Sequence, residues 1–406
     1  MLARANDADV IVVGAGPAGA ALAYFLAERG RHVILLDKTA FPRDKTCGDC
    51  LSPRALRVLS TMSPLDDLHA AGCRINRVWV VAPNGRTLQA PLRTADDLPG
   101  FALIVPRFRL DELVRRRAVD AGVDFRAPWH VTDLFADEGQ IAGVRAAGPG
   151  GTIDLRARVV VIGTGASTAL LERAGLIAEK LAVVRAARAY YENVRGLSDT
   201  MEIYLHSVPM PGYGWVFPTS STTANVGVGY GTPSRLPARD LPLTAMRDFV
   251  RAPAIAARLD GAHPAGAAKA YPLIVDFSPA RAAMPGLMLV GEACGLVHPL
   301  TGEGIDAALE SSELAAEVIA EGFARGETAD RIASKYRRLL RDRFLRVYRN
   351  AGRVRDWLGQ RWPLNRLIAA AAHCEDVRDL FVQTVLGGID PSPLLSPRVL
   401  MRIALG

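Results

Sequence analysis

A glycine-rich loop between an apolar strand and a helix constrains the fold of this chain more than any other feature. The run DVIVV at 9–13 is typical of a strand buried on both faces. The loop that follows has three glycines, namely Gly14, Gly16 and Gly19. A helix at 20–30 and a second strand at 32–36 come next. This unit predicts a Rossmann-like domain that binds a dinucleotide diphosphate at the helix N-terminus.

Each glycine of such a loop has its own physical role. Gly14 permits a tight turn, Gly16 lets the backbone approach a diphosphate, and Gly19 lets helix and strand pack closely. Asp37 ends the second strand, where its carboxylate can accept hydrogen bonds from ribose hydroxyls. The loop alone does not separate NAD from FAD.

Two later strand–glycine turns favour FAD. Residues 158–168 read RVVVIGTGAST, and residues 287–306 read LMLVGEACGLVHPLTGEGID. The second stretch leads into a helix that we expect over 305–322. The N-terminus of that helix can face a flavin ring and stabilise negative charge on it.

In combination, these motifs resemble the para-hydroxybenzoate-hydroxylase-like flavoproteins over nearly the whole chain. Two further stretches resemble the geranylgeranyl reductase family within that group. They are 41–56 (FPRDKTCGDCLSPRAL) and 211–229, which contains PGYGWVFP and ANVGVG. Residues 105–111 (VPRFRLD) resemble the family's arginine segment near the FAD. The resemblance implies FAD as cofactor, a cysteine at the active site and aromatic side chains around the substrate.

The motifs and the resemblance together define a candidate site. The candidate catalytic residues are Cys47, Gly48 and His298. The candidate substrate-binding residues are Tyr213, Trp215 and Phe217. The candidate cofactor-binding residues are Gly14, Gly16, Pro17, Ala18, Gly19, Asp37, Lys38, Arg43, Cys47, Gly48, Arg107, Gly163, Gly165, Gly291, Glu292, Pro299, Gly302, Gly304 and Ile305. We expect no metal site, because Cys47 and Cys50 have no second Cys/His pair at a suitable spacing.

The chain departs from the family pattern at three positions. Thr164 stands where the superfamily usually has Asp, which argues against direct reduction by NADPH. The electron donor therefore stays open between NADPH, a flavin and ferredoxin. Glu292 replaces an Asp and can still reach a ribityl hydroxyl, being one methylene longer. Cys50 replaces the glycine of the family's Cys-Gly-Asp/Glu-Gly.

Several candidate side chains have more than one interpretation. Cys47 could be a thiol beside the flavin, half of a redox-active dithiol with Cys50, or a small packing residue. His298 could donate a hydrogen bond or proton near the substrate, or cap backbone groups of its own loop. Tyr213 and Trp215 alternate along an expected strand and share one face, where they could line an apolar cavity or fill a core.

We expect an α/β chain, α+β overall, with a Rossmann-like FAD-binding domain, an antiparallel β-sheet substrate domain and a helical C-terminal region. We expect the FAD-binding domain to comprise residues 1–72, 104–178 and 281–330. The substrate domain should comprise 73–103 and 179–280, and the helical C-terminal region 331–406. The run at 78–82, the turn PNG and 86–88 predict a hairpin in the substrate domain.

Composition excludes several classes of protein. The chain has 406 residues with 49 Lys+Arg and 42 Asp+Glu, a net charge of +7. This mild charge and the absence of a nucleic-acid module argue against a nucleic-acid partner. The odd count of five cysteines and the short polar N-terminus favour a cytoplasmic protein. Arginines between apolar residues at 336–349 suit either a solvated surface helix or peripheral contact with anionic lipid.

The function we expect is FAD-dependent reduction of carbon–carbon double bonds in an isoprenoid or similar apolar substrate, which could carry a phosphate headgroup. The alternative is a flavin monooxygenase or oxidase that tailors an aromatic or polyketide-like metabolite. A flavin sensor or a prenyl-lipid carrier without catalysis is a further alternative. A carrier would keep the apolar strand without needing three flavin motifs.

Overall fold

The computed structural model describes residues 6–63, 65–94, 98–177, 181–231, 241–386 and 389–405. The strands are β1 (Ala8–Val13), β2 (Val33–Leu36), β3 (Cys50–Leu51), β4 (Cys73–Ile75), β5 (Arg77–Val81), β6 (Thr87–Pro91), β7 (Ala102–Ile104), β8 (Asp124–Arg126), β9 (His130–Asp137), β10 (Gln140–Gly148), β11 (Gly151–Ile162), β12 (Val183–Glu192), β13 (Thr200–Tyr204), β14 (Gly212–Pro218), β15 (Ala224–Gly231), β16 (His263–Pro264), β17 (Lys269–Ile274), β18 (Ala283–Met284) and β19 (Leu287–Leu289). The helices are α1 (Pro17–Ala27), α2 (Pro53–Ser60), α3 (Leu65–Ala71), α4 (Arg107–Asp120), α5 (Ala169–Arg173), α6 (Leu241–Arg251), α7 (Pro253–Arg258), α8 (Ile305–Ala324), α9 (Ala329–Leu340), α10 (Arg346–Leu358), α11 (Arg361–His373), α12 (Glu375–Val385) and α13 (Pro397–Leu405).

The first sheet is parallel at its centre, in the order β18-β19-β11-β1-β2-β8. Strand β1 lies between β2 and β11, with Val10 opposite both Val33 and Val159. Strand β2 and residues 10–13 of β1 are apolar, because helix α1 covers them and packs in turn against α4 and α8. The carboxyl ends of β1, β11 and β19 thus lie side by side, each followed by one of the glycine turns.

A three-stranded meander extends this sheet, and the sequence patterns did not single it out. Strand β10 pairs antiparallel with β9 on one side and with the first half of β11 on the other, and the second half of β11 runs parallel to β1. Only the apolar second half of β11 was recognisable as a buried strand. Its first half has mostly exposed and partly buried side chains, as expected for a strand with one face in solvent.

The second main sheet has the order β16-β12-β15-β14-β13-β5-β6, with β17 also paired to β12. Its pairs are antiparallel apart from β13 with β5, which run parallel. One face carries Val216, Val226 and Val228, which pack with Phe249 of α6. The opposite face carries Ile203, Trp215 and Phe217, which pack with side chains of α10, α11 and α12.

A third sheet, β3-β7-β4, joins the loop before β3 to the rest of the fold. The segment after α8 is helical as expected, with a π-helical turn at Arg341–Leu345 between α9 and α10. A short 3₁₀ turn at 392–395 lies between α12 and α13.

The predicted α/β architecture with a Rossmann-like unit and a largely antiparallel second sheet is confirmed, as is the hairpin of β5 and β6. The expected boundary between residues 178 and 179 lies outside the described residues, as do residues 1–5. The exact division into domains stays a prediction. Among the described segments, no helix combines the length and apolar character that a membrane crossing requires.

Candidate active site

One cavity lies where the two main sheets and the C-terminal helices meet, and most of the predicted site residues line it. From the candidate set these are Gly16, Pro17, Ala18, Arg43, Cys47, Gly48, Arg107, Gly163, Gly165, Tyr213, Trp215, Phe217, Glu292, Pro299, Gly302, Gly304 and Ile305. The others, which are not part of the lining, are Gly14, Gly19, Asp37, Lys38, Gly291 and His298. The structure thus brings together residues as distant in the chain as Gly16 and Ile305.

The N-terminus of α1 forms one end of this cavity. Gly16 is the N-cap of α1, and no side chain caps the helix there. Gly14 has a φ of +100°, and a Cβ at this position would lie 2.6 Å from the carbonyl oxygen of Gly163. A Cβ on Gly19 would lie 1.8 Å from the carbonyl oxygen of Gly14. These contacts require glycine and leave the first N–H groups of α1 open to an anion in the cavity.

Asp37 fixes the shape of this loop from behind. Its Oδ2 accepts a hydrogen bond from the backbone N–H of Ala15 at 2.8 Å, and its Oδ1 accepts one from Thr39 at 2.9 Å. The carboxylate is nearly buried, whereas Lys38 beside it is exposed. Asp37 therefore couples the end of β2 to the glycine loop.

Three cations line the same end of the cavity. Arg43 Nη1 lies 3.2 Å from Asp111 Oδ2, and the buried Arg107 pairs with Asp111 through two hydrogen bonds of 2.6 and 2.9 Å. Lys45 Nζ lies 3.0 Å from Glu292 Oε2. Guanidinium and ammonium donors beside an open helix N-terminus fit the diphosphate of a dinucleotide.

The second and third glycine turns form the floor of the cavity. Gly165 has a φ of +63°, and a Cβ there would lie 3.1 Å from Lys45 Nζ and 3.4 Å from Glu292 Oε2. The other oxygen of Glu292 accepts a hydrogen bond from the backbone N–H of Ile274 at 3.2 Å. The Thr164 hydroxyl donates to the carbonyl of Ser167 at 3.0 Å, which anchors its own turn.

The N-terminus of α8 is the second helix end that faces the cavity. Its N-cap is Gly304, again without a side-chain cap. The turn before it is held by a hydrogen bond of 2.9 Å from the N–H of Gly302 to the carbonyl of His298. Tyr213 reaches this turn from β14 and donates its hydroxyl to the carbonyl of Thr301 at 2.5 Å. The turn is therefore fixed to the second sheet.

His298 itself lies behind this turn. Its Nδ1 lies 3.1 Å from the hydroxyl of Thr301, and its ring packs edge-on against Tyr348 with centroids 5.6 Å apart. Burial lowers the pKa of His298 to about 3, so the ring is neutral at physiological pH. The structure brings His298 close to the turn but not to the cavity surface.

The loop before β3 places Cys47, Gly48 and Cys50 on the cavity wall. The N–H of Asp49 donates to Cys47 Sγ at 3.3 Å, and a Cβ on Gly48 would lie 3.6 Å from the ring of Phe217. All five cysteines are free thiols in the structure. Burial raises the pKa of Cys47 and raises that of Cys50 further, so both are protonated thiols.

Asp49 is a buried carboxyl that the sequence analysis did not select. Its φ is +66°, and its Oδ2 accepts hydrogen bonds from the Tyr190 hydroxyl at 2.6 Å and from Asn225 Nδ2 at 2.8 Å. Asn225 in turn accepts a hydrogen bond from the Trp215 indole at 2.9 Å. Burial raises the pKa of Asp49 to about 6. The only sequence signal was its place in the motif CGDC.

A second connection from this loop to the sheet was also missed. Arg188 of β12 donates to Asp44 at 2.5 Å and to the carbonyl of Lys45 at 3.2 Å. The Arg188 guanidinium lies over the ring of Tyr190 at 4.3 Å. Lys269 of β17 also pairs with Asp44, at 2.8 Å. These contacts hold residues 44–49, the loop that carries Cys47, against the second sheet.

The aromatic wall consists of the alternating side chains of β14. The ring centroids of Tyr213 and Trp215 lie 5.8 Å apart, and those of Trp215 and Phe217 lie 6.0 Å apart. Trp215 lies against β15, where a Cβ on Gly227 would lie 2.3 Å from its ring. The glycines of ANVGVG therefore make room for the indole.

Beyond the aromatic wall the cavity continues between apolar side chains from distant parts of the chain. They are Met201, Ile203, Leu205, Met210, Leu358, Leu364, Phe381, Val385, Leu386 and Leu394. Most of these belong to α10–α12 and their flanks, which sequence reasoning had assigned no part in the site. Within the described residues, no group of His, Cys, Asp and Glu could hold a metal ion.

Comparison with known proteins agrees with this geometry. A family model described as an FAD binding domain matches residues 7–351. The chain is 33% identical over 329 residues to menaquinone reductase of Mycolicibacterium smegmatis, covering 78% of this chain and 77% of that protein. It is 30% identical over 356 residues to digeranylgeranylglycerophospholipid reductase 2 of Methanopyrus kandleri, covering 84% of each. A geranylgeranyl bacteriochlorophyll reductase-like protein from Thermoplasma acidophilum shares the fold, with a TM-score of 0.81, 24% identity, and 90% and 92% coverage.

Proposed function

Because this chain belongs to the FAD-binding-domain family and is an FAD-dependent oxidoreductase of the geranylgeranyl reductase type, we propose that it reduces a carbon–carbon double bond in a polyprenyl chain. The polyprenyl group would be part of a larger substrate molecule. The names of the menaquinone and digeranylgeranylglycerophospholipid reductases indicate such substrates for those relatives.

The observation that carries this proposal is the continuity of the cavity. One end has two open helix N-termini and three cations, and the other is lined by aromatic and aliphatic side chains as far as Leu394. A compact aromatic substrate would need only the part beside Tyr213 and Trp215. A long apolar extension suits a linear hydrocarbon chain, which gains free energy with each methylene that leaves water.

The residues present suit FAD in a consistent orientation. We assign the diphosphate to the N-terminus of α1 with Arg43 and Arg107, a ribose to Asp37, and the ribityl chain to Glu292. The N-terminus of α8 would lie beside the flavin ring, where its dipole favours negative charge. When bound and reduced, FAD supplies a hydride to the alkene.

The protein's own contribution is to position the alkene and to exclude water. Cys47 and Gly48 would lie beside the reacting double bond. The three aromatic residues of β14 would restrict the polyprenyl group to one path through the cavity. An unactivated alkene resists hydride addition, so orientation in a dry cavity must supply much of the barrier lowering. The Cys47 thiol, whose pKa is raised by burial, is a protonated group in the wall of this cavity.

The electron donor and the cellular site are finer parts of the same proposal. Thr164 has no carboxylate, and we propose that a reduced flavin or ferredoxin, rather than NADPH, reduces the bound FAD. We also propose peripheral contact with a membrane, since polyprenyl substrates of this kind reside there. Rapid reduction of the bound flavin by NADPH would contradict the first of these statements.

An anaerobic half-reaction tests the main proposal. The FAD-bound protein is reduced with dithionite and mixed with geranylgeranyl diphosphate or with menaquinone, while the flavin absorbance is recorded. We expect reoxidation without oxygen and a product heavier by two hydrogens. A saturated prenyl diphosphate is the control and should leave the flavin reduced.

Product mass decides the menaquinone experiment, because a quinone head can accept electrons without any change in its side chain. If the flavin stays reduced with every alkene until oxygen enters, the reductase proposal fails. The monooxygenase or oxidase alternative would then take its place.

A further inference from the structure

Glu303 is a carboxyl in the cavity wall that neither the motifs nor the proposed function has used. It lies in the turn before α8, between Gly302 and Gly304, which line the cavity with it. Its Oε1 is shielded from solvent and has no hydrogen-bond partner among the described residues. Its other polar interaction is with Ser52 at the start of α2. An unpartnered carboxyl oxygen in such a place needs an explanation.

Asp306 lies one helical turn further and shares this environment. Its Oδ1 is also buried without a partner in the described part of the chain, and its Oδ2 lies 3.8 Å from Arg54 Nη1. Glu310, by contrast, accepts two hydrogen bonds from Arg54 at 2.9 and 2.6 Å and two from Arg343 at 3.0 and 3.2 Å. Both arginines thus hydrogen-bond to Glu310, and Arg54 also attracts Asp306 and, more weakly, Glu303.

The other titratable groups around Glu303 add no positive charge that could stabilise its carboxylate. Cys50 and Tyr213 face it from β3 and β14, and Tyr348 faces it from α10. All three are neutral, because burial raises the pKa of each group. His298, in the same turn, is neutral because burial lowers its pKa to about 3. Burial raises the pKa of Glu303 well above its usual range, and the neighbouring Asp306 raises it further, against the effect of Arg54.

We propose that the Glu303 carboxyl holds a proton and delivers it to the substrate carbon that does not receive the hydride. This inference rests on the proposed reduction. One alkene carbon takes the hydride that the reduced cofactor supplies, and the other takes the carboxyl proton. Two C–H bonds replace the π bond, and a carboxylate is left near Arg54. Water then returns the proton before the next turnover.

Cys47 also carries a proton in the cavity wall, but its thiol is a weaker acid than the Glu303 carboxyl. Burial raises the pKa of both groups. For a carboxyl this shift moves the pKa toward neutral pH, but for a thiol it moves the pKa away from neutral pH. An acid whose pKa lies near the working pH transfers protons most effectively. Glu303 is therefore the better donor.

Two measurements on the FAD-bound protein test this assignment. The first is anaerobic reoxidation by geranylgeranyl diphosphate, compared between wild type, Glu303→Gln and a control, Glu317→Gln, which makes the same change at an exposed position of α8. We expect Glu303→Gln to slow reoxidation at least about 100-fold, with unchanged flavin content. The second is the infrared band of a protonated carboxyl in the resting enzyme, which should vanish in Glu303→Gln alone and shift in deuterated water.

Asp306→Asn provides a second test, which is the pH dependence of the reoxidation rate. A purely structural role of Glu303 would leave this pH dependence unchanged. Without Asp306, Glu303 has one fewer acidic neighbour beside Arg54, so its pKa should fall. Since the protonated form is the active one, the reoxidation rate should be lost at lower pH than in wild type. This variant also tests the proposal if Glu303→Gln does not fold.

The outcomes separate this inference from the reductase proposal. If wild type does not reoxidise with any alkene, the reductase proposal fails, while the infrared band still reports whether Glu303 carries a proton. If wild type reoxidises and Glu303→Gln does so equally fast, Glu303 is not the acid. Absence of the band in wild type at neutral pH also overturns the inference.

Discussion

The two ends of the cavity are built in opposite ways. The polar end is made of glycine turns and open helix N-termini, together with cations that are held by the carboxylates of Asp111 and Glu292. The apolar end is made of side chains from β13, β14 and helices α10–α12, which are distant in sequence. Backbone geometry tolerates few substitutions, whereas an apolar wall tolerates many of similar volume. The polar end should therefore set the cofactor, and the apolar end should set the substrate.

Substitution of Gly14 should produce the largest effect. Gly14→Ala places a Cβ 2.6 Å from a backbone oxygen at a φ of +100°. We expect FAD affinity to fall at least about 100-fold and the free energy of unfolding to drop by about 2–4 kcal/mol, the range for strain combined with overpacking. Flavin content after gel filtration and urea unfolding measure the two effects.

Gly30→Ala is the matched control. Gly30 also has positive φ, +70°, but a Cβ there meets nothing within 4 Å. It should therefore show only the cost of the backbone conformation, about 1 kcal/mol, and keep its flavin. Equal behaviour of the two variants would show that the close approach to Gly163 has no importance for the cofactor.

The same contrast explains how much of the molecule the sequence could predict. Gly14, Gly163 and Gly291 follow buried strands within a few positions, so local patterns identified these three turns. Phe381 and Leu394 reach the cavity only through tertiary packing, and nothing local marks them. Glu303 was quoted within a motif, but its buried environment comes from Ser52 and Asp306 after folding. Strands β9 and β10 were missed because their exposed faces weaken the apolar pattern.

Asp49 lies between the two ends and should give a pH-dependent effect. Its pKa is about 6 in the fold against 3.8 for the free side chain. The folded state binds this proton more tightly, so the stabilisation is complete below about pH 3.8 and is lost as pH rises through about 6. Asp49→Asn cannot ionise, keeps an oxygen for Tyr190 and tolerates the positive φ.

Relative to wild type, Asp49→Asn should thus become more stable between pH 4 and pH 7, by up to about 3 kcal/mol. Unfolding by urea across this pH range measures the change. Asp260→Asn, which removes the same charge at an exposed position, controls for net charge. A difference between wild type and Asp49→Asn that does not vary with pH would mean that Asp49 is ionised throughout.

A change at the apolar end should alter substrate preference and leave the cofactor in place. Val385 is partly buried and lines the cavity, so Val385→Trp should shorten the space for the hydrocarbon chain. We expect KM for geranylgeranyl diphosphate to rise about tenfold relative to geranyl diphosphate, with unchanged flavin content. Val119→Trp, at an exposed position of α4, is the control. Loss of flavin in Val385→Trp would contradict the proposal that the apolar end affects only the substrate.

The smallest effect concerns the outer surface of the helices that close the apolar end. Some arginines of 336–349 are structural, since Arg337 donates to the carbonyl of Ala283 and Arg343 pairs with Glu310. Arg349 is exposed on α10, where it could contact anionic lipid. Such a contact stabilises membrane binding by about 1 kcal/mol, which is about fivefold in affinity. Arg349→Gln should weaken sedimentation with phosphatidylserine vesicles at low salt by that factor, whereas Arg116→Gln on α4 should not. If wild type does not sediment with these vesicles, the basic surface is a solvated one, and the substrate must reach the apolar end by another route.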